Sequence, residues 1–269
     1  MRWFCLSLAI ATMAWAAGTS VGDEPAVRPA AAGAAAALAA KPSAGERAAA
    51  AALTDLGATL ETDDQGHVQG VDASGSKITD DALARLHALP ALEMLDLGDT
   101  KITDAGMAHL HGLAGLRKLY LYNLPITDAA MVHLRDMNGL EVLSLLGTRI
   151  DGVGLAYLRT LVKLRVVNLS QTKVSDGALV YLKRMSELDT LALENTKVTG
   201  AGLIHLKPLD KLRVLNLSGC KITDADLANL VGHDALRMLY VKRCDVTKSG
   251  TRKFKQKMVS LAVYYSANE

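Results

Sequence analysis

Cys220 and Cys244 lie 24 residues apart. Two thiols at one phase of a repeat read first as a pair of stacked, buried thiols. If they sit on adjacent strands, ~4.8 Å apart, a disulfide is also open to them in an oxidising compartment. A zinc site would need partners that the two thiols lack. His109, His133 and His205 share a phase with Arg85, Tyr157, Tyr181 and Asn229, a mixture that describes a solvated face rather than a metal centre. Lys77, Lys101, Arg149, Lys173, Lys197 and Lys221 form a one-signed column, interrupted by Pro125 and Asp245. Such a stripe suits a polyanion such as an acidic polysaccharide. Lys248, Arg252, Lys253, Lys255 and Lys257 add charge near the end of the chain. The competing expectation is local pairing with the acidic column Asp80, Asp104, Asp128, Asp176 and Asp224, three residues further on. The chain has no P-loop, GxSxG or HExxH pattern, so it offers no catalytic grouping, no metal ligand set and no cofactor.

The elements that position these columns follow from a period of 24. Ile78, Ile102, Ile126, Ile150, Val174, Val198, Ile222 and Val246 are all β-branched. Leucine recurs in step from Leu86, Leu92, Leu95 and Leu97 through the chain without an insertion. A fixed period of this size means a solenoid. Leu92-x-x-Leu95-x-Leu97 alternates as a short strand does. Thr103-Asp104 followed by Met107, Leu110 and Leu113 has helical spacing, with Thr103 as N-cap and Asp104 in the first turn. A column of small residues, Ala82, Gly106, Ala130, Gly154, Ala178 and Gly202, lets neighbouring helices approach; Asp226 interrupts it.

The pattern LxxLxLxxT-K-I/V-TD-x-G-L-x-x-L over about residues 61–265 resembles leucine-rich repeats. It is closest to the cysteine-containing, F-box-associated type, and looks like the 24-residue version of secreted bacterial proteins of planctomycete type. That resemblance implies an α/β fold: a right-handed horseshoe with a parallel sheet on the concave face and α-helices on the convex face. It implies protein interaction without catalysis, and a hydrogen-bonding ladder in the column of Thr100, Thr148, Thr172, Thr196 and the two cysteines. No F-box is present, so it carries no ubiquitin role.

The concave face is the expected binding surface. Its outward positions include Met94, Asp96, Lys118, Tyr120, Val142, Asn168, Asn216, Met238 and Tyr240, with Tyr122 and Leu146 beside them. Tyr120 and Tyr122 are two apart on a strand and so are expected on one side. With Val142 and Leu146 they would form an amphipathic anchor patch. The column Glu93, Arg117, Glu141, Arg165, Asp189, Arg213 and Arg237 mostly alternates in sign and should pair across strands. Asn168-Leu169-Ser170 and Asn216-Leu217-Ser218 match the glycosylation pattern, but as ordinary repeat strands they are expected to carry no glycan.

The ends are organised differently. Residues 1–17 read as a signal peptide with Arg2, an apolar run and Ala14-Trp15-Ala16 at the cleavage site. This predicts a secreted or periplasmic protein; the alternative is tethering by an uncleaved segment, although the run is shorter than a span requires. Residues 18–43 read as a disordered Ala/Pro-rich linker, 44–76 as an N-terminal cap, 77–247 as repeats and 248–269 as a C-terminal cap. Ser43 to Glu46 matches a capping box, opening a helix expected over about 44–59. Lys+Arg 30 against Asp+Glu 28 lacks the basic excess of a nucleic-acid binder. The expected partner is a protein, or an acidic polysaccharide through the Lys/Arg stripe.

Overall fold

The computed structural model describes residues 41–265. The expected signal segment and most of the linker lie outside the described residues. A helix, α1 (Ala44–Asp55), precedes two antiparallel strands, β1 (Thr59–Thr62) and β2 (Val68–Asp72). Seven three-residue or four-residue strands follow at the repeat period: β3 (Met94–Asp96), β4 (Lys118–Tyr120), β5 (Val142–Ser144), β6 (Val166–Asn168), β7 (Thr190–Ala192), β8 (Val214–Asn216) and β9 (Met238–Val241). Helix α2 (Lys248–Lys255) and β10 (Ala262–Tyr265) close the chain. The ten strands form one sheet in sequence order, parallel from β2 onwards. Register steps by 24 at every repeat pair: Leu95 faces Leu119, which faces Leu143, then Val167, Leu191, Leu215 and Leu239. Each of these side chains is buried. A strand whose inner residues stack on their own repeats can slip only by a whole coil, so the register is strongly specified.

The convex elements depart from the expected α-helices. Among the described residues they are seven 3-10 helices, from Asp80–Ala88 to Asp226–Leu230. Each occupies only 5 to 9 residues. A 3-10 helix rises about 2.0 Å per residue against 1.5 Å for an α-helix. It therefore crosses the back of a 24-residue coil with fewer residues while still turning leucines such as Leu83 and Leu86 inward. The N-terminal segment departs from the run of parallel strands in one further way: β1 pairs with β2 in the antiparallel sense.

Half of the predicted capping box forms. Ser43 Oγ accepts from the Glu46 N–H at 3.0 Å. The Glu46 carboxylate does not return to Ser43. It is buried, lies 3.0 Å from His67 Nδ1 and accepts the Val68 N–H at 3.1 Å. This contact ties α1 to the start of β2, and a His 21 residues away gives no periodic signal that would have pointed to it.

Candidate interaction surface

Two turns in each coil hold the sheet open as a surface. The first follows the strand. Thr100, Thr148, Thr172 and Thr196 each donate from Oγ1 to the carbonyl three residues back, at 2.6 to 2.8 Å. Cys220 and Cys244 continue this column as free, buried thiols. Their Sγ atoms reach instead to the preceding coil, to Leu193 O at 3.1 Å and Leu217 O at 3.2 Å. Burial raises the pKa of both thiols, which keeps them protonated as donors. One residue earlier sits a column with positive φ in every coil: Gly75, Asp99, Asn123, Gly147, Gln171, Asn195, Gly219 and Arg243, all between 53° and 71°. Gly, Asn and Asp adopt this left-handed region readily; Gln171 and Arg243 do so at a cost.

The second turn enters the 3-10 helix, and here the acidic column finds its use. Asp80 accepts from Thr103 N at 2.9 Å and Thr103 Oγ1 at 2.6 Å, one coil on. Asp104 does the same for Thr127, Asp176 for Thr199 and Asp224 for Thr247. The small-residue column makes room for it: a Cβ on Gly106 would lie 2.2 Å from Asp80 Oδ1, and one on Gly202 2.4 Å from Asp176 Oδ1. Where Gly200 leaves the aspartate column empty, Asp226 supplies the carboxylate from two positions on, taking Thr223 N at 2.8 Å and Thr223 Oγ1 at 2.7 Å. The interruption seen at Asp226 in the small-residue column and the missing aspartate at 200 are thus one exchange.

This corrects the expected pairing between acidic and basic columns. Asp80, Asp104, Asp176 and Asp224 bond to threonines and Asp128 to the backbone N–H groups of Asp151 and Gly152, while Lys77, Lys101, Arg149, Lys173, Lys197 and Lys221 are exposed. Among the described residues none of these six enters an ion pair. Lys253 and Lys255 are likewise exposed. The sign-alternating column pairs in part, through Arg117–Glu141 at 3.9 Å and Arg213–Asp189 at 3.6 Å. Among the described residues no cluster of His, Cys, Asp and Glu could hold a metal ion.

The concave face is narrower than its strand positions imply. Lys118 is exposed, and Asp96, Tyr120, Val142, Leu146 and Tyr240 are half-buried. Met94, Tyr122, Asn168, Asn216 and Met238 are buried, so these five expected contact residues are not available as drawn from the sequence. The asparagines are spent on the strand ends: Asn168 Oδ1 accepts from Ser170 N and Asn216 Oδ1 from Ser218 N, both at 3.0 Å. Such a short loop back to the chain satisfies an N–H that the ladder no longer reaches. Their burial also bears on the two Asn-x-Ser patterns, which do not present a free amide.

Tyr122 is buried for a different reason. Its ring lies over Gly98, where a Cβ would come within 2.0 Å of Cζ. It shares a hydrogen bond with Ser74. Asp96 lies beneath, accepting the Gly98 N–H at 2.8 Å. Burial pushes the Asp96 carboxyl up to about 7; the Gly98 bond opposes this, and the charges of Asp72 and Asp99 add to it. Burial, then the Asp96 charge, raises Tyr122 to about 12 and moves Tyr120 in the same direction. At the far end Tyr240 stacks on Tyr264, ring centres 4.6 Å apart and planes 11° from parallel. Sequence reasoning missed Tyr264; its position 24 residues after Tyr240 was the available signal.

A sheet of stacked parallel strands backed by short helices, with inward leucines at a constant period, defines a leucine-rich-repeat solenoid. Residues 211–231 match the family described as Leucine Rich repeat. No curated protein matches the chain. Among solved structures, internalin C2 from Listeria monocytogenes is similar, with a TM-score of 0.64 at 20% identity, covering 85% of this chain and 95% of that one. At that identity the likeness is one of fold.

Proposed function

We propose that this protein is a non-catalytic scaffold that binds a protein partner on the concave face of its repeat sheet. Repeat surfaces of this kind offer a rigid, extended sheet to a macromolecule. The observation that supports the reading is a half-exposed run across adjacent strands: Tyr120 on β4, Val142 and Leu146 on and beside β5, and Val166 on β6. Lys118 sits on its border and Tyr240 with Tyr264 extends the aromatic surface at the C-terminal end. Aromatic and aliphatic anchors with a polar rim are what interfaces use for affinity. The test is affinity capture followed by titration of the captured protein. Val142→Arg and Tyr120→Ala should each weaken binding by about tenfold or more, at 1.4 kcal/mol per decade, while Tyr157→Ala on the convex side leaves it unchanged. Equal affinity across all three removes the concave reading.

A second reading rests on the unpaired, exposed column from Lys77 to Lys221. Because the aspartates beside it are occupied by threonines and, at Asp128, by backbone N–H groups, its charge is available to an acidic polysaccharide. Retention on a heparin-like resin with steep salt dependence, reduced by Lys173→Gln with Lys197→Gln, supports it; elution at very low salt rejects it. A secreted or periplasmic setting, with residues 1–17 as leader, fits both readings and is tested by the N-terminal sequence of the mature protein.

A further inference from the structure

Among the described residues the ten-strand sheet has two edge strands with a neighbour on one side only, and their segments carry opposite charge. At one end β1 has a described neighbour on one side only, β2. Its residues are mostly exposed, and residues 59–66 carry Glu61, Asp63 and Asp64 with no Lys or Arg. At the other end β10 has only β9. Its four residues are all half-buried, and residues 248–265 carry Lys248, Arg252, Lys253, Lys255 and Lys257 with no Asp or Glu. Lys248, Arg252 and Lys255 line a groove with Val263 and Tyr265 between α2 and the free edge of β10. The two edge strands are matched in length, four residues each.

An uncovered strand edge is a template for pairing with another chain, and natural proteins usually blunt it. Here charge does the selecting. Two C-terminal ends would bring ten cations together, and two N-terminal ends would bring acids together, so a symmetric pairing of like ends is disfavoured. A head-to-tail contact brings the basic segment 248–257 to the acidic segment 61–64, opposite in charge, and continues the strand stacking from one molecule to the next. We infer that β10 of one molecule docks against β1 of a second copy of the same chain, giving a heterologous assembly that propagates rather than closing as a two-fold dimer. Contacts of this type make rings or open filaments according to the rotation they impose. This contact does not rest on the concave-face reading; of the residues named there it involves only Tyr264, on β10.

Sedimentation velocity of the full chain tests it. At ~20 mM salt the weight-average mass should rise with protein concentration without stopping at two copies. At ~0.5 M salt, where screening acts within a few ångströms, the association should weaken about tenfold or more. Lys248→Glu with Arg252→Glu and Lys255→Glu should sediment as a monomer, and so should Glu61→Lys with Asp63→Lys and Asp64→Lys. Mixed in equal amounts, the two reversed variants should associate again, a result that misfolding of either could not produce. Val263→Pro, which removes a backbone donor from the edge, should weaken association with all charges in place. A wild-type monomer at every concentration overturns the inference. So does an assembly that persists in both reversed variants, one that stops at a two-fold dimer, or a failure of the mixture to associate.

Discussion

Tyr122, in the turn that follows β4, and Tyr240, on β9, differ in exposure: one is buried and the other is half-open. The difference lies one coil away. Tyr122 has Gly98 as its neighbour, and its ring drops into the space a side chain would fill. Tyr240 has Asn216 on one side, already folded back onto Ser218, and Tyr264 on the other, so it stacks instead of sinking. In a solenoid a residue's phase decides which face it joins, and the residue 24 positions before or after decides whether it reaches solvent. The N-terminal end of the concave face is therefore a partly covered cluster holding a raised carboxyl, and the C-terminal end is an aromatic surface.

The sharpest way to break this contrast is at Gly98. Gly98→Val should expel the Tyr122 ring and cost about 3 kcal/mol, the upper range for overpacking, read as a fall in urea midpoint. In a Tyr122→Ala background the same substitution should cost far less, so a double-mutant cycle isolates the ring. Equal losses in both backgrounds would mean that Gly98 matters for some other reason.

Asp96 gives the next effect. Its folded-state carboxyl keeps its proton up to about pH 7, while an unfolded one releases it near 3.8. Between those values the folded chain binds more protons, so this residue lowers stability progressively as pH rises from about 4 to about 7, and by a constant amount above that. Asp96→Asn keeps an oxygen for the Gly98 N–H and should stabilise the protein by on the order of 2 kcal/mol at pH 8, and by little at pH 4. A Tm gain independent of pH would remove the buried-carboxyl account. Asn216→Asp, which places a carboxyl at the same phase in a buried position of the C-terminal end, should give the opposite sign: a loss of stability that grows as pH rises.

A smaller effect tests the exchange at Asp226. Asp226→Ala should cost about 1 kcal/mol by leaving Thr223 without its acceptor. Adding Gly200→Asp should recover it, because the aspartate would return to the position used at Asp80, Asp104 and Asp176. The smallest expected change is Gln171→Gly, which relieves a left-handed φ of 58° and should add about 0.5 kcal/mol, visible as a slightly higher Tm.

The inward rows were legible from sequence because they depend on one number. With a constant step of 24, every aliphatic at phase 78, 86, 92, 95 or 97 meets its own kind, and the hydrophobic effect does the rest. The Cys column and its burial followed from the same arithmetic. The concave surface was legible only as a set of positions. Asn168 and Asn216 were spent on strand ends, Tyr122 was covered through Gly98, and the aspartates turned to threonines or, at Asp128, to backbone N–H groups of the following coil rather than to lysines of their own. Each of these outcomes depends on atoms of one coil meeting atoms of another, at distances that the period alone does not set. By itself the sequence determined the coil, its phase and its inward leucines, because burial repeats with spacing. Only the tertiary structure decided the 3-10 geometry, the tie between Glu46 and His67, and which outward residues remain open, because those depend on the space and hydrogen-bond partners left by side chains far apart in the chain.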